Sequence, residues 1–206
     1  TMAKLFGTDG ARGVANTELT CDIAFKLGQA AVEFLGKTIV VGKDTRLSGD
    51  MLECALNAGI MSRGGTVLAA GIIPTPGVAF LTRELYADGG VVISASHNPP
   101  EYNGIKFFDG QGFKLPDEVE ASLETFVEAG GTPIDQLPAG DEVGVIVPVE
   151  NACELYINHA VSLVRDEGLS FEGLKVALDT GHGAASLTTA HALEELGAEV
   201  VVINDD

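Results

Sequence analysis

Gly89-Gly90-Val91-Val92-Ile93-Ser94-Ala95-Ser96-His97-Asn98-Pro99-Pro100-Glu101-Tyr102-Asn103-Gly104-Ile105-Lys106-Phe107-Phe108 is the stretch on which the fold turns. The apolar run 91–93 reads as a buried strand, and 105–108 as another. Between them stand two hydroxyls, an imidazole, two amides, a Pro-Pro pair and an Asn-Gly step, so the backbone must leave the sheet, turn tightly and return. Lys106 lies at the return, where its long stem can carry a cation back over the loop. Such a scaffold presents one hydroxyl in the open.

Outward from this hairpin the chain alternates. Ile23, Leu27, Ala30, Ala31, Phe34 and Leu35 follow helical spacing and predict a helix over about 21–35, with Thr20 or Asp22 near its start and Gly36 as a stop. A strand at 38–41 leads through Gly42-Lys43-Asp44-Thr45-Arg46-Leu47-Ser48-Gly49 into a second helix, capped by Ser48 or Asp50. A strand at 66–69 is followed by a helix opening at Thr75-Pro76. The hairpin comes next, and then a helix over 116–129. Alternation of this kind predicts an α/β fold: a mixed, largely parallel sheet layered with helices, with ligands gathering at the carboxyl ends of the strands. The segment Gly7-Thr8-Asp9-Gly10-Ala11-Arg12-Gly13 reads as a surface turn that holds one Arg among small residues.

Residues 130–140 have the composition of a surface connection. We therefore expect a first, complete domain over 1–148 and, over 149–206, a linking helix and the start of a second, similar domain. Within the latter, a helix over 150–165, a strand over 174–178, the turn Asp179-Thr180-Gly181-His182-Gly183-Ala184, a helix over 187–196 and a strand over 199–203 form one βαβ unit. One such unit is only part of an α/β domain, so the second domain is expected to be truncated. Thr1 ahead of Met2 reads as an added residue.

Twelve Lys and Arg against 30 Asp and Glu give a net charge of −18, which argues against nucleic acid and anionic membranes as partners. The three cysteines, Cys21, Cys54 and Cys153, have no paired spacing, and a reducing cytoplasm is the expected setting. No apolar run approaches the length of a membrane span.

Two chemistries suit the exposed hydroxyl of Ser96. Acyl transfer would want a glycine-flanked elbow, whereas Ser96 has Ala95 and His97 beside it, and adjacent side chains along an extended chain point apart. Phosphoryl transfer asks for fixed cations and amides around three oxygens. Arg12, Lys106, Asn98 and Asn103 answer that description. From the residues alone, phosphate handling and a plain surface hairpin both stay open, and so does a non-catalytic module that binds a phosphate or a partner.

The run 94–99 with 102–108 resembles the phosphoserine loop of the α-D-phosphohexomutase family. The segments 7–13, 44–49, Pro74-Thr75-Pro76 and 179–184 are similar to that family in the same order. Ser94 and the run 104–108 most resemble the branch that acts on amino sugars. The resemblance implies a reversible shift of a phosphoryl group between the 6- and 1-positions of a hexosamine phosphate through a sugar bisphosphate. It implies that Ser96 carries the phosphoryl group and contributes an oxygen to a Mg²⁺ shell. Arg12 and Lys106 would stabilise the phosphoryl oxygens, Lys106 and His97 would be proton-transfer candidates, and Ser94, Asn98 and Asn103 would support the site. Arg46 and Ser48 read as scaffold. The remaining metal ligands and the parts that select the sugar belong, by this resemblance, to segments following Asp206. The 206 residues alone are therefore expected to be inactive, and they leave open the choice of glucosamine, glucose or mannose phosphate, as well as any oligomer.

Overall fold

The computed structural model describes residues 6, 7 and 10–206; Thr1–Leu5, Thr8 and Asp9, including two positions of the 7–13 motif, lie outside them. In chain order the elements are β1 (Phe6–Gly7), β2 (Gly10–Val14), α1 (Cys21–Phe34), β3 (Thr38–Lys43), α2 (Gly49–Ser62), β4 (Thr66–Ile72), α3 (Thr75–Glu84), β5 (Gly89–Ile93), β6 (Tyr102–Asp109), α4 (Asp117–Glu128), β7 (Ile146–Pro148), α5 (Ala152–Asp166), β8 (Lys175–Asp179), α6 (Thr189–Glu195) and β9 (Glu199–Ile203).

Seven strands form one sheet in the order β1-β2-β6-β5-β3-β4-β7. β5, β3, β4 and β7 run parallel, because each crossover between them carries a helix. β6 returns antiparallel to β5 through the hairpin, and β2 pairs antiparallel with β6. The expected α/β fold with a mixed, largely parallel sheet is what the chain forms.

Strand alternation sorts the core into two layers. Ile39, Val41, Val91, Ile93, Ile105 and Phe107 face α1, α2 and α4, where they meet Leu27, Leu52, Leu56, Ile60 and Leu123. Val40, Val92 and Phe108 face the other way, against Val78 and Leu81 of α3 and Ala152 of α5. Each fully buried Leu or Ile stabilises the fold by roughly 1.5–3 kcal/mol. α1 and α2 approach backbone to backbone. A Cβ at Gly28 would stand 2.1 Å from the Leu56 carbonyl oxygen, and one at Gly59 2.0 Å from that of Phe25.

Three expectations needed correction. Residues 10–13 are strand rather than surface turn, with Ala11 fully buried, because β6 supplies a pairing partner. β7 was not anticipated; it pairs with β4 along three residues beyond the surface connection. The helix expected over 187–196 is shortened to α6, and a 3₁₀ turn at Ala184–Leu187 precedes it.

After Pro148, α5 packs on the α3 face. The Phe80 ring stacks on His159 at 4.2 Å and 11° and meets Tyr156 at 6.3 Å. β8 and β9 form a separate two-stranded parallel sheet with alternating exposed side chains. Among the described residues, no helix is long and apolar enough to cross a membrane.

Candidate phosphoryl-transfer site

The site grows from the carboxyl end of β5. Ser94 continues the ladder by one bond, its N–H donating to the Gly104 carbonyl at 2.9 Å, and fully buried Ala95 anchors the departing chain. The backbone then reverses at Ser96, whose φ of 56° lies in the left-handed region. That conformation costs a non-glycine residue roughly 1–2 kcal/mol unless neighbours hold it. Here they do. The Ser96 N–H donates to Ser94 Oγ at 3.0 Å, and Asn98 N–H donates to the Ala95 carbonyl at 3.1 Å. Ser96 is exposed, and its Oγ lies 3.2 Å from His97 Nδ1. The left-handed turn thus joins two neighbours that an extended chain would have pointed apart.

What holds the loop is Arg46, from the end of the adjacent parallel strand β3. Its Nη1 donates to the carbonyls of Pro99 at 2.7 Å and Tyr102 at 2.9 Å, and its Nη2 to those of Ser96 at 3.0 Å and Asn98 at 2.8 Å. Its Nε donates to Asp44 Oδ2 at 3.1 Å. A guanidinium has five N–H donors, and all five are engaged. Asp44 Oδ2 also accepts from Ser94 Oγ at 2.6 Å, so one carboxylate orients both the clamp and the strand end. Hydrogen bonds to charged groups contribute about 1.5–3 kcal/mol each, enough to offset the cost at Ser96.

Ser94, Ser96, His97 and Asn98 line a cleft of about 1050 Å³ together with Asp44, Thr45, Arg46 and Thr75. Its opposite wall is the turn at 181–185. There Thr45 Oγ1 donates to the His182 carbonyl at 2.5 Å, and His182 Nδ1 stands 2.8 Å from Asp206 Oδ1. The turn is tied at its base by Asp179, whose carboxyl is held below the usual range by the Asn204 side chain, the Gly181 N–H and the charge of His182.

Arg12, Lys106 and Asn103 are placed differently. Arg12 pairs with Gly104 and Lys106 with Val92 in the strand registers, so both cations stand on the sheet face shared by Val92 and Phe108. Neither is among the residues that line the cleft. Gly104 makes room for Arg12: a Cβ there would lie 2.9 Å from Arg12 Cγ. Lys106 Nζ lies 5.7 Å from the centre of the Phe108 ring, within cation–π reach. Asn103 is fully buried beneath the loop, its Nδ2 donating to Ser48 Oγ at 2.9 Å and its Oδ1 accepting from Gly104 N–H. It is a strut under the loop and not a cleft amide. Ser48 begins α2 without a side-chain cap, its hydroxyl taken by Asn103.

Sequence reasoning missed Asp44 and Thr45. The available signal was the position of Asp44-Thr45-Arg46 at the end of a strand that lies beside β5.

The family model described as phosphoglucomutase/phosphomannomutase, alpha/beta/alpha domain I, matches residues 3–133. A phosphoglucosamine mutase of Carboxydothermus hydrogenoformans is 55% identical over 207 residues, covering 98% of this chain and 46% of the relative. One from Clostridium novyi is 50% identical over 210 residues, covering 100% and 46%. The chain thus spans about half the length of the curated relatives it matches. The crystal structure of a phosphoglucomutase/phosphomannomutase family protein from Burkholderia thailandensis superposes with a TM-score of 0.82 at 26% identity, over 98% of this chain and 44% of that one.

Proposed function

The chain belongs to the phosphoglucomutase/phosphomannomutase family, and from that premise we propose that the protein it represents interconverts glucosamine 6-phosphate and glucosamine 1-phosphate through a phosphorylated Ser96. The observation that carries the reading is Ser96 itself: an exposed hydroxyl in a left-handed turn, on a loop fixed by Arg46, at the edge of a cleft large enough for a sugar phosphate. The names of the relatives at 55% and 50% identity favour glucosamine as the sugar.

On this reading the phosphoserine Oγ–P bond breaks as a sugar hydroxyl oxygen bonds to phosphorus. The hydroxyl proton passes to a base, and Ser96 Oγ takes up a proton in turn. Return of the phosphoryl group from the other end of the bisphosphate reverses these steps. Arg12 and Lys106 supply positive charge to the phosphoryl oxygens. His97, 3.2 Å from Ser96 Oγ, is placed to move a proton at that oxygen, with Lys106 a second candidate. Ser94 and Asn98 shape the loop, and Asn103 braces it from below.

Mg²⁺ is implied by the family. Among the described residues no group of three His, Cys, Asp or Glu side chains is arranged to hold a metal ion, and Asp44 is engaged by Arg46 and Ser94. These residues do not by themselves fit the ion, which takes near-octahedral oxygen ligands. The partition into domains at 1–148 and 149–206 is supported by the large sheet ending at Pro148.

Intact-mass measurement tests the proposal. When the whole protein that the chain represents is incubated with glucosamine 1,6-bisphosphate and Mg²⁺, one phosphate should appear on Ser96 and be absent from Ser96→Ala; an unmodified wild-type protein would overturn it. Alone with a sugar 6-phosphate and the bisphosphate, the 206-residue chain should show no turnover. Measured turnover would refute that expectation.

A further inference from the structure

Arg46 draws four loop carbonyls inward, those of Ser96, Asn98, Pro99 and Tyr102. A trans peptide is planar, so each carbonyl turned toward the guanidinium turns the N–H of the same peptide away from it. In this loop that consequence is selective. The peptides after Asn98 and Pro99 run into Pro99 and Pro100, which have no N–H to offer. The peptide after Tyr102 belongs to β6. Of these four peptides, only the one between Ser96 and His97 turns a loop N–H away from the guanidinium.

The Ser96, Asn98 and Tyr102 N–H groups all donate within the loop, to Ser94 Oγ, the Ala95 carbonyl and the Pro99 carbonyl. The His97 N–H makes no such bond. We infer that Arg46 is a positioning residue that aims the His97 backbone N–H at an anion carried on Ser96 Oγ, making that amide a phosphoryl-oxygen donor built into the loop. The inference rests on the proposed role of Ser96 as phosphoryl carrier. The guanidinium also acts on the strength of the donor. Its charge at the Ser96 carbonyl withdraws electrons through the peptide, as hydrogen bonds in series polarise one another. A cation with four of its five donors on main-chain carbonyls can in this way act on a phosphate it does not touch.

The test installs phosphoserine at position 96 of the full chain during translation, so it does not depend on enzymatic phosphorylation. The ³¹P signal and the His97 amide proton are followed by NMR from pH 5 to 8, through the phosphate's second ionisation near pH 6. Asp44, Arg46, His97, Glu101 and His182 line the same cleft, and Arg12 and Lys106 stand on β2 and β6. Following the ³¹P resonance itself separates the phosphate's titration from theirs. The His97 amide should move downfield in step with the dianion, and the Glu101 amide should not. In Arg46→Gln and Arg46→Lys the coupled shift should be lost and the phosphate pKa should rise, with the amide fingerprint of β3 and β4 unchanged. A wild-type His97 amide indifferent to the phosphate overturns the inference, with no appeal to any variant. So does a coupled shift that survives in both variants. Failure of the whole wild-type protein to take phosphate from the bisphosphate would count against the proposed function and leave this measurement standing.

Discussion

The Ser94 hydroxyl donates to Asp44 Oδ2 at 2.6 Å while accepting the Ser96 N–H at 3.0 Å. One serine therefore passes the position of a carboxylate just after β3 to the backbone of the residue that carries the exposed hydroxyl. Asp44→Ala breaks this line and leaves the Arg46 Nε unpaired. The expected loss is about 2–3 kcal/mol by chemical denaturation, with Ser94→Ala costing only about 1 kcal/mol. Equal losses in the two variants would count against the carboxylate as the common anchor.

Gly104→Ala tests the packing under Arg12. The added carbon would fall 2.6 Å from the Ser94 carbonyl oxygen and 2.9 Å from Arg12 Cγ. Backbone cannot give way as a side-chain end can, so we expect a loss of about 1–3 kcal/mol in thermal unfolding. Phosphorylation of Ser96 should slow in the same variant, because Arg12 is pushed from its place beside the loop.

The turn opposite Ser96 should respond to acid. Asp179 is held ionised below the usual carboxylate range in the folded chain by the Asn204 side chain first, then by Gly181 and His182. Its ordinary value is about 3.9, so its contribution is complete above that pH and lost as pH falls below it. Hydrogen-exchange protection of the Gly181 amide should therefore decline below about pH 4. In Asp179→Asn, protection should be low and nearly independent of pH.

The seat of α5 depends on Phe80, which stacks on His159 at 4.2 Å. Phe80→Ala should cost about 2 kcal/mol from lost apolar area and ring contact. Amide exchange should rise along α5 and remain slow in β3, β4 and β5. Uniform loosening of both regions would show that α5 is not a separable layer.

The elements with strong periodicity were legible from sequence alone: α1, α2, the hairpin strands and the alternation that sets a parallel sheet. β2 was not, because Gly-Ala-Arg-Gly-Val has weak strand propensity and becomes strand only when β6 lies alongside. β7 is three residues ending in proline, defined entirely by its neighbour β4. At the site, Ser96, His97, Ser94 and Asn98 could be picked out because their side chains crowd one loop. Arg46 read as scaffold, but which groups it holds could not be seen. Arg46 lies fifty residues from Ser96 in sequence and binds main-chain carbonyls, whose positions leave no mark in residue identity.

Because Arg46 grips the loop by four of its carbonyls and by none of its side chains, the loop's shape is largely insulated from its spelling. Positions such as His97 and Glu101 could be rewritten while the Ser96 oxygen stays where it is. The lining of this cleft can thus change without moving the turn that presents the hydroxyl.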